Sequence, residues 1–361
     1  MRVISTALAL LGAAAALPLL TTPAQAAAAC GATTTKWAAP VVVANSFHAT
    51  SINDSGQIVG HLGSAGHNQQ AVLWQAGSLT KLPALFGGKD GKATDIDDQG
   101  RITGTSKNIL GRTHAVTWQN GKIKELGPLT SPESRAAAIS NGQVAGTADA
   151  DDGSEDSYAR QRAVRWSLNG TRIDLHAAQQ GSVAVDINAA GRIAGTQNVS
   201  RAIVESPFDR EHQAFITNGD STRTIGTLGG TWSEAVALSD DDQVVGMSAL
   251  GPGGSSAAPF SWTVETGMKR LAELGGEGRP VAVNKQGTIA GQLACANEYG
   301  THDLAYASVW ENADAEPLRL PKPEGNLSTK AIAMNDNGDI VGEIGYPAGA
   351  GFEVVVWKKT G

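Results

Sequence analysis

The chain has 361 residues, and its 28 Lys and Arg against 35 Asp and Glu give a formal net charge of −7. Charged residues make up 17% of the chain, below the usual ~25%, whereas the 44 Gly are nearly twice their usual share. This composition favours strands and tight turns, and it excludes a coiled coil, a basic nucleic-acid binder and a disulfide-dense mini-domain.

The first element is a targeting segment. A short positive start precedes an apolar run at residues 3–20, and Ala24-Gln25-Ala26 has the A-x-A form of a signal-peptidase site. We expect residues 1–26 to be a secretory signal peptide and residues 27–361 to be a single secreted, extracellular domain. An uncleaved membrane anchor is the alternative, and Pro23 argues against it. No later apolar run approaches the ~18 residues that a membrane span requires, so we expect none.

The two cysteines, Cys30 and Cys295, are far apart in the sequence. Because secretion leads to an oxidising compartment, a disulfide between them is the expected state. Two unpaired thiols are the alternative. A lipid anchor on Cys30 is a third interpretation, but it would require a branched apolar residue three positions earlier, where the chain has Ala27.

The rest of the chain repeats one unit seven times. The copies share a frame that reads Ala-x-x-Ile-Asn-x-x-Gly-x-Ile-x-Gly at residues 49–60 and 184–195 and recurs with substitutions at 93–104, 235–246, 281–291 and 331–342 and, in a shortened form, at 137–146. The closing glycines are 42–51 residues apart at Gly60, Gly104, Gly146, Gly195, Gly246, Gly291 and Gly342. A short apolar segment ending in Trp follows in six copies, at Trp74, Trp118, Trp166, Trp262, Trp310 and Trp357. The fourth copy has Thr217 there. Two landmarks with one shared period identify an internal repeat.

Turn residues divide each unit into strands. Asn53-Asp-Ser-Gly56 is typical of a type I turn followed by a glycine with positive φ, which predicts a β-hairpin. The fifth copy has Asp242 in the glycine position, and Asp tolerates positive φ. The shorter third copy has Asn141-Gly142, the preferred two-residue hairpin turn.

Four strands at a period of about 40–50 residues are typical of a β-propeller blade. The sequence therefore predicts an all-β, seven-bladed β-propeller with four antiparallel strands per blade, Ala-rich innermost strands and Trp side chains between the sheets. The chain ends just after a third strand, so we expect the N-terminal segment at residues 33–37 to complete the last blade as its outer strand. A parallel β-helix is the architectural alternative, but the period is too long for it.

The third-strand segments have a recognisable sequence. His114-Ala-Val-Thr-Trp118, Gln70-Ala-Val-Leu-Trp74 and Gln213-Ala-Phe-Ile-Thr217 resemble the HAF repeat, and the preceding I-N-x-x-G-x-I-V-G segments match it too. The resemblance covers essentially the whole chain after residue 26. It implies a secreted, propeller-like bacterial protein of a family expected to be extracellular, and it implies no established activity.

The loops between second and third strands vary from 10 to 18 residues, and they share one face with the loops that link successive blades. Because binding residues usually lie on variable loops of a rigid scaffold, we expect a ligand on this face. The candidate binding residues are Tyr158, Arg160, Arg201, Asp209, Arg210, His212, Trp232, Tyr299 and His302. Trp232 could stack on a sugar or peptide, or fill space beneath its own loop.

The leading interpretation is a non-enzymatic binding scaffold for an extracellular glycan or protein, with no nucleic-acid partner and no cofactor. A purely structural surface protein is another interpretation. The chain lacks a G-x-S-x-G elbow, an H-E-x-x-H helix and a Walker loop. One long loop is acidic and is a candidate calcium site, although a solvated loop is the simpler interpretation; its carboxylates are Asp149, Asp151, Asp152 and Glu155.

An enzyme is the competing interpretation, namely a hydrolase or lyase acting on extracellular glycan or lactone substrates. Such an enzyme needs several carboxylates or His side chains that converge on the central channel. Asp95 and Asp186 occupy equivalent positions of two innermost strands, where most copies have Ala. These two residues identify no catalytic site by themselves.

Overall fold

The computed structural model is all-β. It describes residues 32–44, 47–63, 69–126, 133–150, 160–175, 181–199, 211–274, 277–295, 304–324, 328–346 and 351–360. The predicted signal peptide at 1–26 and Cys30 lie outside the described residues. Within the described ranges, no helix has the length and apolar character needed to cross a membrane.

Twenty-eight strands form seven four-stranded antiparallel sheets, which are the seven predicted blades. β1 (Val41–Ala44) comes first in the chain. Blade 1 then contains β2 (His48–Ile52), β3 (Ile58–Leu62), β4 (Gln70–Gln75) and β5 (Ser78–Lys81), and blade 2 contains β6 (Gly91–Ile96), β7 (Ile102–Lys107), β8 (Thr113–Gln119) and β9 (Lys122–Glu125). Blade 3 contains β10 (Ser134–Ser140), β11 (Gln143–Asp149), β12 (Gln161–Ser167) and β13 (Arg172–Asp174), and blade 4 contains β14 (Ser182–Ile187), β15 (Ile193–Asn198), β16 (His212–Asn218) and β17 (Ser221–Thr224). Next come blade 5, β18 (Ser233–Leu238), β19 (Val244–Ala249), β20 (Ala257–Thr263), β21 (Gly267–Arg270); blade 6, β22 (Glu277–Val283), β23 (Ile289–Cys295), β24 (Leu304–Trp310), β25 (Leu318–Arg319); and blade 7, β26 (Ser328–Met334), β27 (Ile340–Gly345), β28 (Phe352–Trp357).

The N-terminal strand closes the ring, as predicted. β1 pairs antiparallel with β28, so blade 7 has the order β26-β27-β28-β1 and gains its missing outer strand. The prediction that residues 33–37 form this strand is wrong. Trp37 is instead an anchor: its side chain is 3% exposed, and its indole Nε1 donates to the carbonyl oxygen of Gly338 at 2.8 Å. The strand follows in Val41–Ala44, where three consecutive β-branched residues favour extended backbone.

The closing glycines are explained by a bulge in every innermost strand. In blade 1 the pairing register shifts between Ala49 and Ser51, which brings the innermost strand against its neighbour at Gly60. A Cβ added to Gly60 would overlap the carbonyl oxygen of His48, and the same overlap arises at the other six closing glycines. The marker that revealed the repeat is therefore a position at which two backbones approach too closely for a side chain.

The hairpin turns have the predicted conformations. Gly56 adopts a φ of +74°, and Asp242, which replaces glycine in the fifth copy, adopts +62°. Asn141 and Gly142 both have positive φ, at +47° and +76°, as a two-residue type I′ turn requires. Each repeat therefore forms its hairpin with locally suitable residues.

The core is divided into seven layers, one between each pair of neighbouring blades. Trp118 and Trp310 are at most 1% exposed, and the indole Nε1 of Trp118 donates at 2.7 Å to the carbonyl oxygen of Pro83 in the preceding loop. In blade 4, which lacks this Trp, the fully buried Phe215 packs beside the closing Gly195. Phe215 thus fills the space beside the closing glycine that Trp310 fills in blade 6.

The up-and-down strand order creates two different faces. The turns between strands 1 and 2 and between strands 3 and 4 of each blade lie on what we call the turn face. The loops between strands 2 and 3 and the loops between blades lie on the opposite long-loop face. The seven innermost strands surround the axis of the ring, and we call the region that they enclose the channel and its two ends the turn-face mouth and the long-loop mouth.

Candidate functional site

The turn-face mouth of the channel is acidic, and its carboxylates join neighbouring blades. A recess of about 210 Å³ at this mouth is lined by Asp54, Asp98, Asp240 and Asp336, which we call the turn ring. Each accepts a hydrogen bond from a backbone N–H of the preceding blade: Asp54 to Asp98 at 2.9 Å, Ala189 to Asp240 at 2.8 Å, Lys285 to Asp336 at 3.0 Å and Asp336 to Asp54 at 2.9 Å. These charges therefore have structural partners.

The carboxylates of the turn ring also affect the ionisation of Asp54. Burial, followed by the charges of Asp98 and Asp336, raises the pKa of Asp54 above its usual value. The neighbouring Asp97 pairs at 2.6 Å with the guanidinium of Arg101 in its own turn. No group of three or more His, Cys, Asp or Glu suited to a metal ion occurs in the part of the chain that the structure describes.

The middle of the channel wall carries the two carboxylates noted in the sequence. Asp95 accepts a hydrogen bond from the Ser51 hydroxyl at 2.6 Å and one from the backbone N–H of Ile139 at 2.8 Å. Asp186 accepts backbone N–H bonds from Ile187 at 2.8 Å and from Leu238 at 2.7 Å. Each carboxylate thus connects its own blade to the next one round the ring.

Burial dominates the electrostatics of this layer. It raises the pKa of Asp186 to about 7, and the negative charge of Asp95 adds to the effect. Burial also raises the pKa of Asp95, against the hydrogen bond from Ser51. The equivalent positions of four other innermost strands hold Ala138, Ala237, Ala282 and Ala333. The layer therefore contains two carboxylates and one hydroxyl in an otherwise apolar wall.

The long-loop mouth has the opposite charge. Each innermost strand places one residue immediately before the residue that pairs with the closing glycine; these seven residues, which we call the mouth ring, are His48, Lys92, Arg135, Val183, Glu234, Arg279 and Lys330. All seven are half-buried or exposed, whereas their partners of the closing glycines are buried. The ring contains four permanent cations and one carboxylate in a protein of net charge −7.

Three of these cations have no side-chain bonding partner in the part of the chain that the structure describes. Lys92, Arg279 and Lys330 make no side-chain hydrogen bond or ion pair with any described residue, whereas Arg135 pairs with Glu133. Arg279 is close enough to Glu234 to contribute to lowering the pKa of that carboxyl, although the hydrogen bond from His212 is the larger cause. The long-loop mouth therefore holds positive charge that the turn face does not.

A groove extends outward from this mouth between blades 2 and 3. It has a volume of about 480 Å³, and we call it the blade 2–3 groove; its polar lining includes Gln69, Lys92, Thr94, Thr105, Lys107 and Arg135. Asp90 also lines it and pairs with Lys107 at 2.8 Å. The groove is thus lined by three cations, one carboxylate and several hydroxyl and amide groups.

An imidazole pair lies in blade 1, where His48 on the innermost strand is opposite His61 on the second strand. His48 stacks on Phe352 with ring centroids 4.4 Å apart and on His61 at 5.3 Å, and its Nδ1 is 3.1 Å from the carboxylate of Glu343. Burial, followed by the positive charge of Lys92, lowers the pKa of His61 to about 4. His61 is therefore neutral at physiological pH, and Lys92 is close enough for its positive charge to oppose protonation of His61.

The structure brings two of the predicted binding residues together on the long-loop face. The rings of His212 and Trp232 stack with centroids 5.7 Å apart and planes inclined by 21°, and His212 Nε2 is 3.2 Å from the carboxylate of Glu234. Trp232 is half-buried, and its Nε1 donates to the carbonyl oxygen of Gly254 at 3.2 Å. Trp232 is therefore held by its own loop on one side and by His212 on the other.

The other predicted positions divide into two groups. Arg160 is described, and its carbonyl oxygen accepts a bond from Ala150 N–H at 2.7 Å at the base of its loop, while Asp149 belongs to β11. The rest lie outside the described residues: Tyr158, Arg201, Asp209, Arg210, Tyr299, His302, Asp151, Asp152, Glu155 and Cys30. The side chain of Cys295 is likewise not described, so the disulfide and the calcium site stay predictions.

Comparison with known proteins supports the fold. No model of a known family matches the chain, and no curated protein matches it in sequence. The β-propeller domain of the Trilobed protease from Pyrococcus furiosus is similar, with a TM-score of 0.59 and 10% identity over 88% of this chain and 94% of that one. That domain is described as having an open velcro topology, whereas pairing of β1 with β28 closes the ring here.

Two peptidases are also similar. Puromycin hydrolase matches with a TM-score of 0.56 and 14% identity over 92% of this chain and 56% of that one. A puromycin-hydrolyzing peptidase of Mycobacterium tuberculosis matches with a TM-score of 0.57 and 17% identity over 91% of this chain and 55% of that one. This chain spans about half the length of either peptidase. At these identities the likeness shows a shared propeller fold and no shared activity.

Proposed function

We propose that the protein is a secreted, extracellular binding scaffold of HAF-like repeats whose ligand, a glycan or a protein, binds on the long-loop face around the channel mouth. The observation that carries the proposal is the difference in partners between the two mouths. Carboxylates of the turn ring accept backbone hydrogen bonds, whereas Lys92, Arg279 and Lys330 have no bonding partner among the described residues. Charged groups that bond to no described residue are available to a ligand.

The pair of His212 and Trp232 supports the same face. A half-buried indole that a neighbouring ring holds in place is a rigid surface on which a sugar ring or a peptide side chain can stack. Glu234 adds a hydrogen-bond acceptor beside it. This cluster lies at the start of blade 5, at the rim of the same mouth.

An array of extracellular glycans and secreted proteins tests the proposal, with the wild-type protein compared with Trp232→Ala and Lys330→Ala. We expect at least one ligand whose binding weakens in one of these variants. Asp241→Ala is the matched control, because Asp241 is an exposed turn-face residue with no partner among the described residues. Binding that only the turn-face change weakens, or a wild-type protein that binds nothing, would overturn the proposal.

A hydrolase or lyase acting on glycan or lactone substrates is the second candidate function. The observation that favours it is Asp186, whose pKa is raised to about 7, since a general acid must be protonated near its working pH. Both oxygens of Asp186 already accept backbone N–H bonds, which argues for a structural role. Turnover of a glycan or lactone by the wild type that Asp186→Asn abolishes, with binding retained, would favour the enzyme.

A further inference from the structure

We propose that the ligand of the long-loop mouth is an acidic polysaccharide, meaning a sugar chain that carries carboxylate or sulfate groups and lies along the blade 2–3 groove. This inference rests on the proposed function, because it names the ligand class of the same face. It is carried by the lining of the groove and by the cations of the mouth ring.

The first step is the sign of the charge. Lys92, Lys107 and Arg135 line the groove with only one carboxylate, Asp90, among them. Asp90 neutralises Lys107 at 2.8 Å, and Glu133, which is outside the lining, neutralises Arg135. Lys92, where the groove meets the channel mouth, has no ion pair with any described residue. Its field reaches His61, where it opposes protonation of the imidazole.

The second step is the nature of the remaining lining. Thr105 and Gln69 present hydroxyl and amide groups that donate and accept hydrogen bonds, as the hydroxyls of a sugar require, whereas the Thr94 hydroxyl already donates to the carbonyl oxygen of Ala136 at 3.1 Å. No aromatic side chain belongs to the lining that the structure describes, so the groove offers no stacking surface for nucleic-acid bases. A volume of about 480 Å³ lies within the ~300–1,000 Å³ of typical ligand sites.

The third step is continuity with the rest of the mouth. Lys330 and Arg279 lie on the innermost strands of blades 7 and 6, beyond blade 1 from Lys92, and their side chains form no hydrogen bond or ion pair with a described residue. Two carboxylates are near them: Glu343 is opposite Lys330 in the strand register, and Glu234 is close enough to Arg279 for its pKa to be affected. A polymer with repeated negative charges can contact several of the cations, whereas a single small anion contacts one. Because the whole protein is negative, this local positive region also selects the face that approaches a polyanion.

The test is calorimetric titration of the intact secreted protein with short oligogalacturonate, with a sulfated dextran oligomer and with a neutral oligogalactan. We expect binding of an acidic sugar at low salt, little binding of the neutral one, and affinity that falls as salt screens the cations. The carboxylated and sulfated probes distinguish the two sources of charge.

Two charge reversals make the test specific. Lys92→Glu should weaken acidic-sugar binding about tenfold or more, which corresponds to ~1.4 kcal/mol. Lys122→Glu is the matched control, because Lys122 is exposed on the outer strand of blade 2 and has no partner among the described residues. Both variants should unfold at the same urea concentration as the wild type, and this measurement reveals a misfolded Lys92→Glu protein. If Lys92→Glu is misfolded, Lys92→Gln and Lys330→Gln replace it in the titrations.

Three results would overturn the inference: equal affinity for the neutral oligosaccharide, equal loss in Lys92→Glu and Lys122→Glu, or single-stranded DNA binding as tightly as the acidic sugars. A neutral glycan or a protein that binds at Trp232 would leave the proposed binding function intact while removing this ligand class. A protein that binds nothing on the array and none of the sugars would remove both.

Discussion

The two mouths of the channel use charge in opposite ways. At the turn face, four carboxylates are spaced round the ring, and each accepts a backbone hydrogen bond from the neighbouring blade. At the long-loop face, four cations surround the opening, and three of them bond to no described residue. Charge alone therefore does not identify a functional site in a repeat protein. The bonding partners of each charged group must be known as well, because a group that holds two blades together is not free to bind a ligand.

The largest expected effect concerns the anchoring of the N-terminal segment on the turn face. Trp37→Ala removes a side chain that is 3% exposed and a hydrogen bond to Gly338, so the free energy of unfolding should fall by about 3–5 kcal/mol. Urea unfolding measures it. Phe86→Ala is the control, since Phe86 is 90% exposed and its loss should change little. A loss below ~1 kcal/mol for Trp37→Ala would mean that the ring closes without this anchor.

The channel layer between the mouths should make stability depend on pH. Because the pKa of Asp186 is about 7 in the folded protein and has its usual value of 3.8 in the unfolded chain, the folded protein binds one more proton between about pH 4 and pH 7. Stability should therefore fall as pH rises through this window, by at most about 1.4 kcal/mol per pH unit, and level off above it. Asp186→Asn should flatten this part of the profile, although it also weakens the hydrogen bonds to Ile187 and Leu238.

Thermal unfolding followed from pH 4 to pH 8 gives this profile. Asp241→Asn is the matched control, because Asp241 is exposed on the turn face and the same substitution there should leave the slope unchanged. A slope that persists in Asp186→Asn would assign the pH dependence to other groups, with Asp95 the first to examine since its pKa is also raised by burial.

The turn ring itself gives the next effect. Asp54→Ala leaves the backbone N–H groups of Asp336 and Asn337 without their acceptor, which should lower the free energy of unfolding by about 1–3 kcal/mol. Lys330→Ala, at the other mouth, should change it by less than ~0.5 kcal/mol. Equal losses in the two variants, measured by urea unfolding, would remove the distinction between a structural mouth and a binding mouth.

The smallest expected effect is that of the Lys92 charge on the pKa of His61 near the long-loop mouth. Lys92→Gln removes a positive charge that lowers the pKa of His61, so that pKa should rise by less than one unit from about 4. It should stay below 6.5, since burial is the larger cause. A pH titration of the His61 ring by NMR measures the shift. An unchanged pKa would show that the Lys92 charge does not reach the pair of His48 and His61.

The sequence predicted the fold more fully than the site. The closing glycines and the Trp residues report close backbone approach and blade packing, which are local constraints that recur in every repeat, so seven blades followed from them. The closing strand was placed too early, in residues 33–37, because a single Trp could be read as part of a strand when it is a buried anchor.

The mouth ring was missed for a different reason. Its seven residues differ from blade to blade, so this position of the repeat gives no repeat signal, whereas the long loops and Trp232 stand out in the sequence. A signal was nevertheless available. The residue before the one that opens each repeat, which is Ala in six copies and Pro280 in the sixth, is Lys, Arg or His in five of the seven copies, at His48, Lys92, Arg135, Arg279 and Lys330. Which of these cations lack partners depends on packing between blades, and only the structure provides that.

Hydrogen–deuterium exchange with and without bound oligogalacturonate tests whether the long-loop mouth is the binding site, because it locates a ligand without altering the protein. We expect slower exchange in peptides from the long-loop ends of the innermost strands, covering residues 91–95, 133–136 and 277–281. Exchange in the turns at 53–57 and 97–101 should not change. Protection confined to those turns, or no protection anywhere at saturating oligogalacturonate, would contradict this binding site.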